Sequence, residues 1–153
     1  MSFLKTKVWP VVAGFVVASI ATMIFEYINS FFFPLPKDLD WNDAEAVRAI
    51  TASLPWTAYI LVLLGWIVGS FKGGWVAAWL SGESKFRVSL ALAILLTLAG
   101  IWNVMMLGHD IIFTVIGLPL LFGGTYRGYR AAVAKRPRMF FRGRGNGVAA
   151  PML

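Results

Sequence analysis

Four polar side chains that could do chemistry lie in or beside long apolar segments: Glu26, Asn103, His109 and Asp110. A carboxylate within a hydrocarbon layer is costly, so it is usually paired or functional. A carboxylate close to an imidazole can bind a proton or a cation. We therefore predict that these residues form an ion or proton site. The alternative is a set of unrelated features, with Glu26 at the membrane surface, Asn103 bonded to another helix and Asp110 as a helix N-cap.

Neither a catalytic set nor a metal-ligand set accompanies these residues. The chain has 1 histidine and 0 cysteines, so sites that need two imidazoles or a thiolate are excluded. The sequence contains no HExxH, GxSxG, P-loop or dinucleotide-binding motif. We expect a protein that is not an enzyme and that holds no metal and no cofactor.

The composition places these residues in a membrane protein. The chain has 153 residues, of which 59% are hydrophobic and only 14% charged. A soluble domain has roughly 45–50% apolar and about 25% charged residues. The apolar segments are long enough to cross a bilayer. The sequence predicts an all-α fold, with a domain over 1–134 in which four transmembrane helices form an antiparallel up-down bundle, with spans at 8–32, 55–72, 88–107 and 111–128.

Two shorter segments complete this predicted domain. Asn42, with Glu45 three residues later, resembles a capping box that opens a short helix on the membrane surface. After Lys72, the segment GGWVAAWLSG is too short to cross again, which favours an interfacial extension anchored by tryptophan. Pro119 predicts a kink in the fourth span.

Charge predicts the orientation of the bundle. Most of the 14 Lys and Arg residues fall on the side that holds both termini. Cytoplasmic loops carry this excess, so both termini are expected in the cytoplasm and the chain in a bacterial inner membrane. A cleaved signal peptide is the competing interpretation of the first apolar segment, but the segment is longer than such peptides require.

The second span carries a small residue at every fourth position: Gly65, Gly69, Gly73 and Ala77. This spacing forms one smooth helical face, called here the small-residue stripe, against which another helix can pack closely. That helix could belong to the same chain or to a second copy. With Lys72 at the cytoplasmic surface, the stripe is expected to stabilise the inner half of the bundle, whereas the polar candidates lie in the outer half.

The tail at 135–153 is basic and is predicted to be a disordered cytoplasmic segment. Its cations are interleaved with aromatic residues, a pattern that suits anionic lipid headgroups. The candidates for this contact are Arg136, Arg138, Arg142 and Arg144. The alternative is a basic flank without a specific ligand. A nucleic-acid partner is not expected, because the tail directly follows a membrane span.

The chain resembles a family of small bacterial four-span membrane proteins over residues 11–131. The resemblance rests on GWIVGSFKGGWVAAWL, on an acidic residue in the first span, on FPLP followed by KDLD, and on LP before the second span. It implies the four-span fold and no particular activity. The residues that stand out in it are Glu26, Gly65, Gly69, Gly73, Gly74 and His109. The small multidrug transporters also carry a glutamate in the first of four spans, but their surrounding residues do not match this chain.

Two functions are consistent with the sequence. The first is an accessory or assembly subunit of a larger membrane complex, or a homo-oligomer, packed through the small-residue stripe. The second is a small proton- or cation-coupled transporter or channel that uses Glu26 with Asn103 and His109. The surroundings of Glu26 discriminate between them, since a cavity shared with Asn103 or His109 favours transport.

Overall fold

The computed structural model describes residues 8–82 and 85–134, which form an all-α up-down bundle, as predicted. Four of its helices are long and apolar enough to span a membrane. The predicted tail and its four arginines lie outside the described residues. The described helices are α1 (Trp9–Phe32), α2 (Ala44–Ser53), α3 (Trp56–Leu80), α4 (Lys85–Leu107) and α5 (Ile111–Ala134).

Helix α3 is the central helix, and its small-residue stripe packs on α1 of the same chain. All four stripe residues are buried. A methyl group added at Gly69 would lie 2.6 Å from Thr22 Oγ1 and 2.7 Å from the Ala18 carbonyl oxygen. The α1 backbone therefore occupies the space that a side chain would need. In this fold the stripe is not available to a second copy of the chain.

A second face of α3 carries small residues that pack on α5. A methyl group at Gly74 would overlap the backbone of Thr125, and one at Gly128 would overlap the carbonyl of Phe71. Farther along the same contact, the rings of Trp66 and Phe113 lie edge to face with centroids 5.2 Å apart. The two long helices α1 and α5 thus flank α3, each held by a close backbone approach.

Helix α4 packs mainly on α5 and touches α1 sparsely. We call the end of the bundle where α1 begins and α5 ends the terminal end, and the opposite end the α2 end. At the terminal end Leu92 is fully buried with Ala18, Ala77 and Val88. Three edges of the four-helix bundle are therefore closed, whereas the edge between α1 and α4 is closed only near the terminal end.

Helix α3 continues without a break to Leu80, beyond the predicted end of the span at Lys72. Gly73 and Ala77 are buried in the contact with α1 rather than placed on a separate interfacial segment. At the other end of the stripe, a methyl group at Gly65 would lie 2.8 Å from Phe25 Cβ. The stripe therefore occupies the half of α3 that leads to the terminal end, and its contact with α1 extends past Lys72 to Ala77.

Helix α2 forms as predicted, but its N-cap is Asp43 rather than Asn42. The Asp43 carboxylate accepts hydrogen bonds from the backbone N–H groups of Glu45 and Ala46, at 3.0 and 3.1 Å. Asn42 instead donates from its side chain to Asp40, at 3.1 Å. The predicted capping box is wrong because the carboxylate one position later meets the free N–H groups of the first turn.

Two side chains hold α2 on the bundle. The Tyr59 hydroxyl of α3 donates to the Thr51 carbonyl at 2.6 Å. The Arg48 guanidinium donates to the Met105 carbonyl in the last turn of α4 at 3.1 Å, where a cation also offsets the negative end of the helix dipole. Gly108, with a φ of 67°, ends α4 in a backbone conformation that glycine adopts without strain. As a result, α2 is fixed to α3 and α4 at this end of the bundle and does not lie free on the membrane surface.

The close approach of α1 to α3 predicts a site-specific cost for one methyl group. We expect Gly73→Ala to destabilise the protein by about 1–3 kcal/mol, because overpacking forces the backbones apart. The added carbon would lie 2.5 Å from the Gly14 carbonyl oxygen. Thermal unfolding in detergent measures the loss.

Gly123→Ala in α5 is the matched control, since nothing lies within 4 Å of the added carbon. It should leave the unfolding midpoint unchanged or raise it. Equal midpoints for the two variants would contradict the close approach at Gly73.

Candidate functional site

The open edge of the bundle contains a cleft between α1 and α4, which we call the lateral cleft. Its volume is about 220 Å³. Trp66 of α3 and Leu121 of α5 line it together with residues of the two helices at its edges. The α1 and α4 residues that line the lateral cleft are Phe15, Ala18, Ser19, Thr22, Met23 and Glu26 of α1, and Leu96, Ala99, Gly100 and Asn103 of α4.

A second cavity, of about 290 Å³, lies at the α2 end, and we call it the roofed cavity. Helix α2 lines it with Val47, Ile50 and Thr51, and the loop before α2 adds Leu35, Leu39 and Trp41. Most of its wall is apolar. Its polar residues from the long helices and the α4–α5 turn are Glu26, Asn29, Ser30, Asn103 and His109.

Glu26 and Asn103 line both cavities. Glu26 is exposed, so it is not sealed in a helix contact. The two residues therefore mark the place where the lateral cleft and the roofed cavity meet. Three of the four predicted site residues, Glu26, Asn103 and His109, are brought together at the α2 end.

His109 and Asn103 form a hydrogen-bonded pair. The imidazole Nε2 lies 3.2 Å from Asn103 Oδ1. With the amide oxygen as the acceptor, Nε2 carries the hydrogen and Nδ1 keeps its lone pair. The ring also packs on Phe113, with centroids 4.4 Å apart, and on Tyr59. This burial lowers the pKa of His109 from 6.5 to about 4, so the imidazole is neutral at pH 7.

Two buried acceptor atoms in the roofed cavity have no hydrogen-bond partner within the described residues: Asn29 Oδ1 and His109 Nδ1. An unpaired buried polar atom is costly, so such atoms usually indicate water or a ligand. No Lys or Arg is among the described residues that line either cavity. With the Glu26 carboxyl group, the site offers several acceptor atoms, a combination that suits a cation or a proton.

Asp110, the fourth predicted site residue, lies outside both cavities. Its carboxylate accepts a hydrogen bond from the backbone N–H of Ile112 at 3.2 Å, and its carbonyl accepts from the backbone N–H of Thr114 at 3.0 Å. These are the bonds of an N-cap at the start of α5. The structure thus gives Asp110 the capping role that the sequence offered as the alternative to an ion site.

Asn29 is the site residue that sequence reasoning missed. It follows Glu26 by three positions, and side chains at this spacing lie on the same helical face. That spacing could have identified it. Within the described chain no three His, Cys, Asp or Glu side chains converge, so that part of the protein holds no ligand set of the kind that transition metals require.

Comparison of the chain with protein-family models, with curated proteins and with solved structures gave no match in any of the three. The resemblance to small bacterial four-span proteins therefore remains an expectation from the sequence. The chain is a multi-pass membrane protein by its four candidate spans.

The lowered pKa of His109 predicts a pH dependence of stability. In the unfolded chain the imidazole titrates near pH 6.5, and in the folded chain near pH 4. Between these values only the unfolded chain binds the proton, so the free energy of unfolding falls as the pH falls from 6.5 to 4. His109 is partly exposed, so we expect a loss on the order of 1–2 kcal/mol.

The measurement is the thermal midpoint of the detergent-solubilised protein between pH 7.5 and 4, compared with His109→Gln. The variant lacks the titrating group, so its midpoint should fall less steeply over this range. Parallel profiles for the two proteins would show that His109 is not buried in its neutral form.

Proposed function

We propose that the protein is a small proton- or cation-coupled transporter whose binding site is formed by Glu26, Asn103 and His109. The observation that carries this proposal is that Glu26 and Asn103 line both the lateral cleft and the roofed cavity. A ligand or proton bound there would have access to the membrane-embedded cleft on one side and to the α2 end on the other. The proposed function involves no covalent catalysis.

The chemistry of the site supports a cation rather than an anion. Glu26 supplies a negative charge when it is ionised. Asn29 Oδ1 and His109 Nδ1 supply acceptor atoms that have no partner among the described residues. In a low-dielectric surrounding, a carboxylate that loses its cation takes up a proton. If a proton and a cation exchange on Glu26, transport of the proton is coupled to transport of the cation, and no second charged group is needed.

The charges at the two ends support an orientation with the α2 end outside. Among the described residues, the terminal end carries more cations than the α2 end. Those near the terminal end are Lys72, Lys85, Arg87, Arg127 and Arg130, whereas the loop and helix at the α2 end carry Lys37 and Arg48. Under the positive-inside rule the termini would be cytoplasmic and the roofed cavity would face the outside of a bacterial inner membrane.

The proposal predicts that Glu26→Gln abolishes ion movement. The protein is reconstituted in vesicles loaded with a pH-sensitive dye, and proton uptake is followed under a valinomycin-set potential, with and without external Na⁺ or methylammonium. We expect the initial rate of Glu26→Gln to fall at least about tenfold, to the rate of protein-free vesicles, because a neutral amide cannot exchange a proton. Binding is measured in parallel by tryptophan fluorescence, since Trp66 and Trp41 line the cavities.

Glu45→Gln is the matched control. Glu45 is an exposed carboxylate in the first turn of α2 and lines neither cavity. Its removal should leave both rate and binding unchanged. Undiminished flux in Glu26→Gln overturns the proposal, as does a wild-type protein with neither flux above protein-free vesicles nor a saturable fluorescence response.

A second candidate function is an accessory or assembly subunit of a larger membrane complex. It is favoured by α1, which buries only Pro10, Gly14 and Ala18 and exposes a row of apolar side chains that includes Val12, Val16 and Ile20. The small-residue stripe is covered within the chain, so a partner subunit or a second copy would have to pack on this outer face of α1.

This candidate predicts a cross-link at α1. A benzophenone amino acid placed at Ile20, which is 54% exposed on α1, should yield a heavier adduct in native membranes after irradiation. The same probe at Ile94, which is 50% exposed on α4, is the matched control and should yield none. Gel electrophoresis and mass spectrometry of the adduct identify the partner, and the absence of an Ile20-specific adduct excludes this interface.

A further inference from the structure

A third cavity lies between α4 and α5, and we call it the α4–α5 groove. Its volume is about 190 Å³. The α4 residues at its wall extend from Phe86 to Ala93, a length of about 10 Å along the helix. Aromatic rings form much of the rest, with Phe86 and Tyr129 edge to face at 5.8 Å. The groove is apolar and long, the shape of a site for a hydrocarbon chain.

Ser89 is a buried polar residue at the wall of this groove. It is only 3% exposed, and its hydroxyl has no hydrogen-bond partner within the described residues. A serine in a membrane helix usually bonds a carbonyl of the preceding turn, as Thr97 and Thr125 do here. An unsatisfied hydroxyl at the wall of an apolar groove indicates a ligand that carries both hydrocarbon and oxygen atoms.

Two cations lie in a recess that adjoins the groove near the terminal end. Tyr126 lines both the groove and an adjoining recess whose wall includes Arg127 and Arg130. The Arg130 guanidinium donates to the Tyr126 hydroxyl at 3.3 Å, which brings this cation to the edge of the groove. Arginine side chains bind phosphate groups with parallel N–H donors. The positive charge therefore lies where the polar head of a chain in the groove would emerge.

We propose that the α4–α5 groove binds an anionic phospholipid. One acyl chain lies between α4 and α5 along the aromatic rings, the ester region reaches Ser89, and the phosphate is held by Arg127 and Arg130. This site is separate from Glu26 and from the predicted lipid contacts of the tail, so it does not depend on the transport proposal. The positive charge of Arg127 and Arg130 favours an anionic headgroup. The apolar groove favours a lipid over a free phosphate, because only a lipid has an acyl chain to fill it.

Native mass spectrometry of the full chain tests the proposal. The detergent-solubilised protein is incubated with phosphatidylglycerol or with phosphatidylcholine of identical acyl chains, and the retained adducts are counted. Wild type should retain one phosphatidylglycerol in preference to phosphatidylcholine. Arg127→Gln combined with Arg130→Gln should lower phosphatidylglycerol retention at least about fivefold, to the level of phosphatidylcholine, because the phosphate loses its partners.

The matched control is Lys37→Gln combined with Lys72→Gln, which removes the same charge from residues outside the groove and should retain the lipid.

Leu90→Trp, which fills the groove, should lower the retention of both lipids without changing the thermal midpoint in lipid-free detergent. Millimolar glycerol 3-phosphate should not displace the lipid. Equal retention of the two lipids by wild type, full retention by the double arginine variant, or displacement by glycerol 3-phosphate overturns the proposal.

Discussion

The close backbone approach of α3 to its two neighbours is the constraint on which the rest of the structure depends. Within a bilayer, lipid tails are as apolar as leucine, so burial alone does not decide which helices pair. Small residues decide it, because they allow dispersion contacts between backbones. Helix α3 has such residues on two faces, one against α1 and one against α5. The four-helix bundle is therefore closed on those edges and left open between α1 and α4.

The same constraint determines where Glu26 faces. Phe25 packs on Gly65, which sets the rotation of α1 about its axis at this level. The next residue is turned by about 100° around the helix, and it lines the lateral cleft instead of the α3 contact. A packing residue, Phe25, is thus directly followed in the chain by a residue of the polar site, Glu26. The contact that holds α1 on α3 also places Glu26 at the wall of the cavities, and Asn103 of α4 and His109 of the following turn line the roofed cavity with it.

Much of this architecture follows from local sequence patterns. Apolar length predicts the four long helices, and the polar segment before the second span predicts α2. The sequence also predicts that Asn103 and His109 lie in one polar cluster, and it offers the cap at Asp110 as an alternative role for that residue. These features depend on residues that are close together in the sequence, so hydrophobic periodicity and capping residues predict them directly.

Other features depend on which helices contact each other. Short sequence patterns do not show that, because the contacting residues are far apart in the chain. Lys72 indicated the end of a span, yet its side chain is exposed and α3 continues past it because Gly73 and Ala77 still contact α1. The spacing of the small-residue stripe could not tell an internal contact from a contact between copies. The unpaired atoms of Asn29 and Ser89 become visible only when their surroundings are placed in three dimensions.

The most direct test of the shared site uses the chain's only histidine, whose imidazole nitrogens give resonances that need no assignment. Solid-state NMR of ¹⁵N-labelled His109 in bilayers at pH 7 should show a neutral ring with the hydrogen on Nε2. The unprotonated Nδ1 resonance should shift when Glu26→Gln removes the nearby charge, and should stay in place in Glu45→Gln. A doubly protonated ring at pH 7, or an Nδ1 resonance that Glu26→Gln leaves unchanged, would contradict the account that Glu26, Asn103 and His109 form one site.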